Sequence, residues 1–445
     1  ASDVYKRQAL RVLAAAGRAG NQMPSSQEPD FLEQDLCFLG LCGMIDPVRP
    51  EVVDAIRECR GAGIRPVMIT GDHKDTAVAI AKELGILEAG RKAVTGAEID
   101  QLSDEELDRR IEEYAVYARV QPEHKVRIVD AWKRKGRITA MTGDGVNDAP
   151  SIKRADIGIG MGITGTDVTK NVADMVLADD NFATIIAAVE EGRRIYDNIR
   201  KAIQFLLASN LAEVLSIFCA TLMGFTILNP VHLLWINLIT DSLPALALGV
   251  DKNDGKKLMG RPPRTASESL LANGGLSVIC FYGALIAGIS LTAFFTVPYM
   301  LMKQERADFS VAVLAAFLEQ KKVLKRAQTY AFTVLGMSQL FHAVGMRDVR
   351  QSIFSRRPFE NRLMLVAGGI GFLLQAAVTE LPFLTGVFST GRLSAGEWLY
   401  LSGLSCFPLL AHELFVLLEK NGTQKLMEKF GRDAYESDRD QERAA

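Results

Sequence analysis

The sequence lacks the cysteine patterns that mark disulfide-rich and zinc-binding proteins. Its six cysteines include no CxxC pair and no ladder of spacings, so we expect free thiols, no disulfide framework and no zinc site. It also lacks an excess of either charge, because 51 basic and 53 acidic residues give a net charge of −2. That balance gives no reason to expect a nucleic-acid partner. No secretory signal is recognisable at its start.

The sequence does contain a sharp division that its average composition hides. The 445 residues are 48% hydrophobic and 23% charged overall. Residues 1–200 carry dense charge and are typical of a soluble α/β protein, whereas residues 202–418 are dominated by long apolar runs. A helix needs about 20 apolar residues to cross the core of a bilayer. We therefore expect a soluble part followed by a membrane part.

Six apolar stretches predict transmembrane helices. They are residues 202–224, 231–249, 271–298, 328–346, 363–380 and 398–418. Six crossings place both ends on one side, which the soluble half identifies as the cytoplasm. Basic residues after the second and fourth spans agree with this orientation. The four basic residues at 321–326 disagree, because they would face outward, but a four-span arrangement would leave an apolar run unexplained.

Polar side chains inside these spans predict an ion site. Asn210 and Glu213 are three residues apart on the first span, and Asn237 and Asp241 are four apart on the second, with Thr240 beside them. Such spacings place each pair on one face of its helix. A carboxylate inside a membrane costs about 2.5–3.5 kcal/mol, so two of them indicate ion or proton handling. Each asparagine alone could equally well bridge two helices.

Two further features refine that prediction. Pro244 follows Asp241 and should interrupt the regular hydrogen bonding of the second span, which frees carbonyl oxygens. The fourth span carries Gln339 and His342. An oxygen-only cluster suits a hard cation such as Ca²⁺, which takes six to eight oxygen ligands.

The soluble half alternates strand and helix patterns. Predicted strands cover residues 64–70, 115–120, 137–142, 156–161 and 174–179. A turn and then a helix closed by Gly85 are predicted over 71–85, and further helices over a segment from Pro122 and over 181–196. This alternation favours a parallel sheet with helices on both faces. In such sheets the active groups collect where the strands end.

Two of these strand ends carry residues suited to phosphate. Thr70, Gly71 and Asp72 follow one strand, and the TGDGVND sequence at 142–148 follows another. Glycines let the backbone approach closely, and amides at a helix start bind phosphate. A lone TGD is usually an ordinary strand–helix connection, but TGDGVNDAP is far more specific.

Charged residues in the same region predict metal and phosphate chemistry. Asp144 and Asp148 can hold Mg²⁺, which takes one or two carboxylates and shares the phosphate oxygens. Lys125, in the helix after Pro122, can neutralise charge that develops on a phosphoryl group.

Four stretches together resemble the P-type ATPases. They are IDPVRPEV (45–52), TGD (70–72), VQPEHK (120–125) and TGDGVNDAPSIKRADIGIGMGITGTDV (142–168). The resemblance covers the chain from about Ala9 to the last span, and residues 1–8 do not fit it. It implies an α/β haloacid-dehalogenase-like (Rossmannoid) phosphorylation domain at 46–195. Residues 1–45 would end a nucleotide-binding domain, 196–420 would form an all-α bundle of six transmembrane helices, and 421–445 would be a cytoplasmic tail.

The resemblance also implies roles for single residues. Thr70 and Gly71, followed by Asp72, would bind phosphoryl oxygens, Lys125 would be the lysine of the phosphorylation site, and Asp144 would be the Mg²⁺ ligand. Asn147 and Asp148 would form the network around the phosphate, and Asp46 would lie at a domain hinge. ATP would be the substrate, and Mg²⁺ the cofactor.

In the membrane half the resemblance is to the calcium-pump branch. ASNLAEV and NLITDSLPALALG match motifs of the fifth and sixth helices, which implicates Asn210, Glu213, Asn237, Thr240 and Asp241 as ligands of transported Ca²⁺. Gln339 stands where some two-site calcium pumps have a glutamate, so the number of ions per cycle stays open. Pumps for Mn²⁺, Na⁺ or H⁺ are the alternatives within the family.

The sequence also departs from the family pattern. It contains no DKTGT, TGES or PEGL motif, so we expect a C-terminal fragment that does not pump alone and needs the N-terminal half of the same pump. A separately encoded half is the alternative. The expected setting is a bilayer, as a bacterial plasma-membrane protein that functions as a monomer when complete.

Two functions from other classes fit the sequence less well. A membrane-tethered phosphatase of the haloacid-dehalogenase type needs its own nucleophilic aspartate in a DxD-type motif, and the sequence has none. A non-catalytic scaffold has no use for Lys125, Asp144 and Asp148 together.

Overall fold

The structure is a computed structural model of the whole chain, and it describes most of the residues. Described are residues 11–19, 28–29, 33–44, 48–252, 255–265, 268–272, 274–306, 310–349, 351–355, 361–418 and 420. The predicted hinge residue Asp46, the atypical start at 1–8 and the predicted tail at 421–445 lie outside the described residues. The chain divides into two compact units. Unit 1 comprises Ala1–Arg193 and Asp254–Glu268, and unit 2 comprises Arg194–Asn253 and Ser269–Ala445.

Unit 1 contains one antiparallel hairpin and two parallel sheets within its described residues. The strands are β1 (Arg11–Gly17), β2 (Cys37–Met44), β3 (Met68–Ile69), β4 (Lys92–Thr95), β5 (Tyr114–Ala118), β6 (Ala140–Gly143), β7 (Ile157–Met161) and β8 (Met175–Leu177). The hairpin pairs β1 with β2, and the parallel sheets have the orders β3-β5-β4 and β6-β7-β8. Consequently β3 and β6 each lie at an edge of their sheet.

Helices connect these strands. They are α1 (Pro50–Gly61), α2 (Lys74–Glu83), α3 (Gly96–Asp100), α4 (Asp104–Arg110), α5 (Pro122–Arg134), α6 (Ala149–Arg154) and α7 (Asp167–Val172). The central strand β5 is buried along its whole length. Tyr117 packs on one side with Ile99 and Leu107, and Val116 packs on the other with Ile56 and Ala77. Because successive side chains of a strand point to opposite faces, helices cover both faces, which confirms the predicted α/β class.

The predicted elements of unit 1 differ from the structure in length. The strand expected at 64–70 is reduced to Met68–Ile69, because Pro66 has no amide hydrogen to donate to a neighbouring strand. The strand β4 and the two short helices after it were not predicted. Both helices begin at a capping box, formed by Thr95 with Glu98 and by Ser103 with Glu106.

The helix predicted at 181–196 and the span predicted at 202–224 are one element. Helix α8 runs from Phe182 to Leu222, and the boundary between the two units falls inside it. Its sequence contains no proline and only one glycine, Gly192, so nothing in it stops a helix. The short spacing between the two predicted segments predicts a continuous helix from Ile185 past Arg200, and the structure confirms it.

Unit 2 is helical throughout its described residues. After α8 come α9 (Pro230–Trp235), a π-helix (Ile236–Asp241), α10 (Ser242–Gly249), α12 (Gly275–Glu305), α13 (Val311–Glu319), α14 (Lys321–Met346), α15 (Arg362–Glu380), α16 (Pro382–Val387) and α17 (Ala395–Ser405). The short helix α11 (Gly255–Met259) lies between α10 and α12 in sequence and belongs to unit 1. There Arg193 donates hydrogen bonds to the carbonyl oxygens of Leu258 and Arg261.

Five helices of the described chain are long and apolar enough to cross a membrane, whereas six were predicted. They are Phe182–Leu222, Pro230–Gly249, Gly275–Glu305, Arg362–Glu380 and Ala395–Leu418. The span predicted at 328–346 lies within the helix α14, but its side chains are more polar. Residues 327–340 of α14 are all buried among other helices, so this stretch need not present an apolar surface to lipid.

A buried ion pair joins the ends of several helices in unit 2. The guanidinium group of Arg347 donates to both carboxylate oxygens of Asp251, at 3.2 and 3.1 Å. Asn361 donates to Asp251 at 2.9 Å, and Asn198 donates to the Asp251 carbonyl at 2.8 Å. The paired charges and amides satisfy one another, which is the condition under which a buried ion pair is tolerated.

Candidate functional site

The predicted phosphate site of unit 1 is built around Lys125 and Asp148. Lys125 lies in the first turn of α5, and Asp148 ends the 3₁₀ turn Val146–Asp148. The ammonium group of Lys125 contacts the Asp148 carboxylate, and both side chains are largely buried. The Gly145 amide donates to the same carboxylate at 3.3 Å. This pairing fixes the lysine at the base of the turn.

Gly143 is needed for that arrangement. A Cβ atom added there would lie 2.7 Å from Cγ of Asp148, which is too close for any side chain. The second glycine of the TGDG sequence, Gly145, has room for a Cβ. The close approach of Asp148 therefore requires a glycine at position 143. Packing does not require a glycine at position 145.

Asp144 is exposed, and its carboxylate makes no hydrogen bond or ion pair with another side chain of the described chain. Its carbonyl oxygen accepts the Thr166 amide at 2.9 Å, which holds the backbone of the turn. Lys125 thus contacts Asp148 and not Asp144. An unengaged carboxylate beside a glycine turn fits Mg²⁺, which takes one or two carboxylates and completes its shell with water and phosphate. Asn147, also exposed, is the neighbouring polar group.

The Thr70 turn follows β3. The Thr70 hydroxyl donates to the Asp72 carboxylate at 2.9 Å and accepts the Asp72 amide at 3.1 Å, and Gly71 is exposed. Ile69 packs in one cluster with Met141 of β6 and Val129 of α5. Because these residues adjoin Thr70, the TGDGVND turn and the helix of Lys125, the structure brings the predicted phosphate-binding elements together.

A further carboxylate organises the loop after β7. Asp180 accepts hydrogen bonds from the amides of Gly162, Ile163 and Thr164 and from the Thr164 hydroxyl, at 2.6–3.0 Å. Burial raises the pKa of Asp180, but these four bonds to the charged form outweigh burial and hold that pKa at about 2. Asp180 was not predicted, because nothing in the sequence ADDNF distinguishes it from its neighbour Asp179.

The low pKa of Asp180 predicts a pH-dependent stability. A carboxylate with a usual pKa of about 3.9 that falls to about 2 on folding stabilises the fold above about pH 4, and loses this effect as the pH falls through 2. We expect Asp180→Asn to lower the unfolding temperature of unit 1 at pH 7, and the difference from wild type to shrink between pH 4 and pH 2. Fluorescence of Trp132 would follow unfolding. Glu83→Gln, at an exposed carboxylate, is the control, and an unchanged gap at pH 2 would contradict the prediction.

The predicted ion site of unit 2 collects most of its predicted residues. The Asn237 amide donates to the Glu213 carboxylate at 3.1 Å, and the Thr240 hydroxyl donates to Oε1 of Gln339 at 2.7 Å. Glu213 is 6% exposed and Asp241 is 1% exposed. The two carboxylates lie within electrostatic range of one another. Helix α8, the π-helix and α14 therefore meet at one polar cluster.

Several oxygens of this cluster are without partners. Oε1 of Glu213 and both carboxylate oxygens of Asp241 are buried and accept no hydrogen bond of ordinary geometry from any described residue, although the Gln339 amide lies near Glu213 and the Ser209 hydroxyl lies near Asp241. Buried polar atoms are nearly always satisfied, so such oxygens call for a cation or for protons. The described chain has no group of three or more His, Cys, Asp and Glu side chains that could hold a metal ion. A cation here would depend on amide and hydroxyl oxygens in addition to the two carboxylates.

The π-helix explains how the second span presents these oxygens. Pro244 has no amide hydrogen, and its ring crowds the carbonyl four residues earlier, that of Thr240. Within the same segment the hydroxyl of Ser242 donates to the carbonyl of Asn237 at 2.9 Å. The expected break in regular hydrogen bonding is present as the six-residue π-helix Ile236–Asp241.

One predicted ligand is set apart from the cluster. Asn210 is exposed, and the structure records no side-chain hydrogen bond for it. Sequence analysis in turn missed Gln375 of α15, which is fully buried and accepts the indole N–H of Trp235 at 3.3 Å. The only sequence signal is a lone amide in an apolar span, and such an amide is tolerated in a membrane helix without a special role.

Comparisons with known proteins agree with both halves of the structure. Residues 14–156 match the family model of haloacid dehalogenase-like hydrolases, and residues 225–418 match that of the cation transporting ATPase C-terminus. Calcium-transporting ATPase 1 of Bacillus cereus is 48% identical over 422 residues, which are 95% of this chain and 47% of the relative.

Other relatives give the same picture. The calcium-transporting ATPase of Bacillus subtilis is 45% identical over 92% of this chain and 44% of its own length. The endoplasmic reticulum calcium ATPase srcA of Aspergillus fumigatus is 35% identical over 94% of this chain and 45% of its own length. The chain thus spans about half the length of these relatives. Its apolar helices and these matches make it an integral membrane protein.

Proposed function

Since this chain belongs to the cation-transporting P-type ATPases, we propose that it supplies the ion-binding helices and the phosphate-handling domain of an ATP-driven calcium pump. One observation carries the proposal: the carboxylates of Glu213 and Asp241 are buried in a membrane unit, with three oxygens that have no partner among the described residues. The names of the relatives, which are calcium-transporting ATPases, favour Ca²⁺ as the ion.

The proposed phosphoryl chemistry uses the two turns of unit 1. Asp144 would hold Mg²⁺, which when bound offsets the negative charge of the phosphoryl group. The exposed backbone at Gly71 would bind phosphoryl oxygens, and Lys125 would supply positive charge at the base of the site. Asp148 would keep Lys125 in place.

The nucleophilic aspartate would come from polypeptide that this chain does not contain. The edges of β3 and β6, which pair with no further strand of the described chain, support this, because their turns hold the phosphate-binding residues while Ile69 and Met141 pack together. A further strand between these edges would place its end beside both turns. Phosphorylation from ATP only after the N-terminal half of the pump is added would test this proposal. We also propose a bacterial plasma membrane as the location, and a monomeric complete pump.

Ion binding by the chain in lipid nanodiscs tests the proposed function. We expect saturable binding of ⁴⁵Ca²⁺ at micromolar concentration, with Mn²⁺ and Na⁺ competing poorly, because the oxygen-only cluster suits Ca²⁺. Preferential binding of Mn²⁺ or Na⁺ would show that the site is built for that ion and not for Ca²⁺. Absence of any cation binding, in nanodiscs that hold folded protein by circular dichroism, would contradict the proposal.

A further inference from the structure

Gln375 is a buried amide that the roles assigned above do not explain. It lies on α15, and its side chain is fully buried. Its Oε1 atom accepts the indole N–H of Trp235, whereas its Nε2 atom has no hydrogen-bond partner among the described residues. Apolar side chains would fill the same space without an unpaired donor. A buried amide with an unpaired donor therefore points to a role beyond packing.

Trp235, the hydrogen-bond partner of Gln375, lies directly before the π-helix. Trp235 is the last residue of α9, and the π-helix Ile236–Asp241 begins at the next residue. Its ring also packs edge-on against Phe388, with ring centroids 5.0 Å apart. The indole is therefore held on two sides directly before the segment that carries Asn237, Thr240 and Asp241. Short π-helical segments inside helices are rare and occur frequently at functional sites, so a contact at the start of this one is of interest.

Gly336 brings Gln375 close to the ion site itself. A Cβ atom added at Gly336 of α14 would lie 3.2 Å from Oε1 of Gln375 and 3.4 Å from Cγ2 of Thr240. The side chains of Gln375 and Thr240 thus both pack against α14 at Gly336. One turn along that helix, Gln339 accepts the Thr240 hydroxyl at 2.7 Å. Gly336 is the place where α14, α15 and the π-helix come together.

We propose that Gln375 is a positioning residue that sets the geometry of the ion site, by holding Trp235 at the start of the π-helix and packing beside Gly336 and Thr240. This inference rests on the proposed function of the same site. Gln375 does not contact the ion. It fixes the backbone from which Asn237, Thr240 and Asp241 project, and so fixes the distances between their oxygens.

The expected consequence is a change in ion selectivity. Ca²⁺ accepts a flexible shell at 2.3–2.6 Å, whereas smaller cations need shorter and more regular distances. A π-helix whose start is released would adapt to ions of different size. Loss of the Gln375–Trp235 bond should therefore lower the ratio of Ca²⁺ to Mn²⁺ affinity, and a merely structural role would lower stability without changing that ratio.

The test measures ⁴⁵Ca²⁺ and Mn²⁺ binding by the full chain in nanodiscs, together with the unfolding temperature. We expect Gln375→Leu to reduce the Ca²⁺/Mn²⁺ affinity ratio about tenfold, and Trp235→Phe to reduce it similarly. The double variant should be no worse than either alone, because both remove the same bond. Non-additivity is the mark of a shared interaction.

A pair of glycines on the facing helices supplies a matched control. Gly336→Ala should also lower the ratio, because its methyl group meets Gln375 and Thr240. Gly368→Ala, on the same helix as Gln375, adds a methyl group with nothing within 4 Å, so it should leave the ratio unchanged.

The outcomes separate the two proposals. A wild-type chain that binds neither Ca²⁺ nor Mn²⁺ would overturn the proposed function. A wild-type chain that binds Ca²⁺, with Gln375→Leu and Trp235→Phe lowering only the unfolding temperature, would overturn the positioning role and leave the calcium site intact.

Discussion

Replacing Glu213 by glutamine or Asp241 by asparagine should lower the Ca²⁺ affinity of the full chain at least 100-fold. Each substitution keeps the size of the side chain and removes one negative charge from a cluster in which three carboxylate oxygens are buried without partners. A factor of 100 corresponds to about 2.8 kcal/mol, which is modest for a charge–charge contact in a poorly hydrated site. Equilibrium binding of ⁴⁵Ca²⁺ in nanodiscs would measure the loss.

Stability should change in the opposite sense in these variants. An amide at either position does not carry the cost of a buried charge, so the unfolding temperature without Ca²⁺ should stay equal or rise. A gain in stability with a loss of binding would distinguish an ion site from a structural ion pair. Loss of stability without Ca²⁺ in both variants would contradict this interpretation.

Glu380→Gln is the matched control for the ion site. Glu380 is a carboxylate in the same unit, but its Oε1 atom accepts the Trp398 indole N–H at 2.9 Å and the Leu393 amide at 3.2 Å. Its oxygens therefore have protein partners, and its removal should leave the Ca²⁺ affinity within a factor of two. An equal loss for all three variants would show that the membrane unit responds to any lost carboxylate.

The sequence predicted the chemistry of the ion site better than its geometry. Glu213 and Asp241 are recognisable because a carboxylate in an apolar run is costly and demands a reason. Gln375 and Trp235 carry no such mark, since an amide or an indole is tolerated in a membrane helix. Their importance depends on which residues of other helices lie opposite, and only the fold determines this. The exposure of Asn210 likewise depends on the neighbouring helices, which its sequence position does not reveal.

The membrane spans show a related limit. Hydropathy locates segments by their contact with lipid, so it identifies α12, whose span carries no charge between Leu271 and Pro298. It is less decisive for α14, where Gln328, Thr333 and Gln339 are all buried among neighbouring helices. It also divides α8 into a soluble and a membrane part, although the backbone is continuous from Phe182 to Leu222.

In unit 1, local sequence signals predicted most of the elements that carry the phosphate site. These signals are the proline at the first position of α5, the glycine-rich turns and the β-branched runs. Each acts on the backbone of its own segment, so it can be recognised without knowledge of the fold. The pairing of Lys125 with Asp148 joins residues 23 positions apart, and spacing along the chain did not favour it over a contact with Asp144. The choice is made by Gly143, which lets the Asp148 side chain approach the turn.

Removing the lysine of that pair should destabilise unit 1 strongly. Lys125→Met leaves the Asp148 carboxylate buried with only the weak Gly145 amide bond at 3.3 Å, and breaking a buried pair costs about 3 kcal/mol. For a unit of this size that corresponds to a fall of about 6–12 °C in unfolding temperature. Trp132 lies on the same helix as Lys125, so its fluorescence, in a Trp235→Phe and Trp398→Phe background, would follow the unfolding of this unit.

Two companion variants decide whether the buried charge is the cause. Lys125→Met with Asp148→Asn should recover most of the lost stability, because the double variant leaves no unpaired charge. Lys133→Met, on the same helix, removes the pair with Asp156 at 3.1 Å, whose side chains are 35% and 28% exposed. That more exposed pair should be worth less than about 1 kcal/mol. Equal losses of stability in the two single lysine variants, or no recovery in the double variant, would mean that Asp148 does not depend on Lys125. Another group would then have to compensate the buried Asp148 carboxylate.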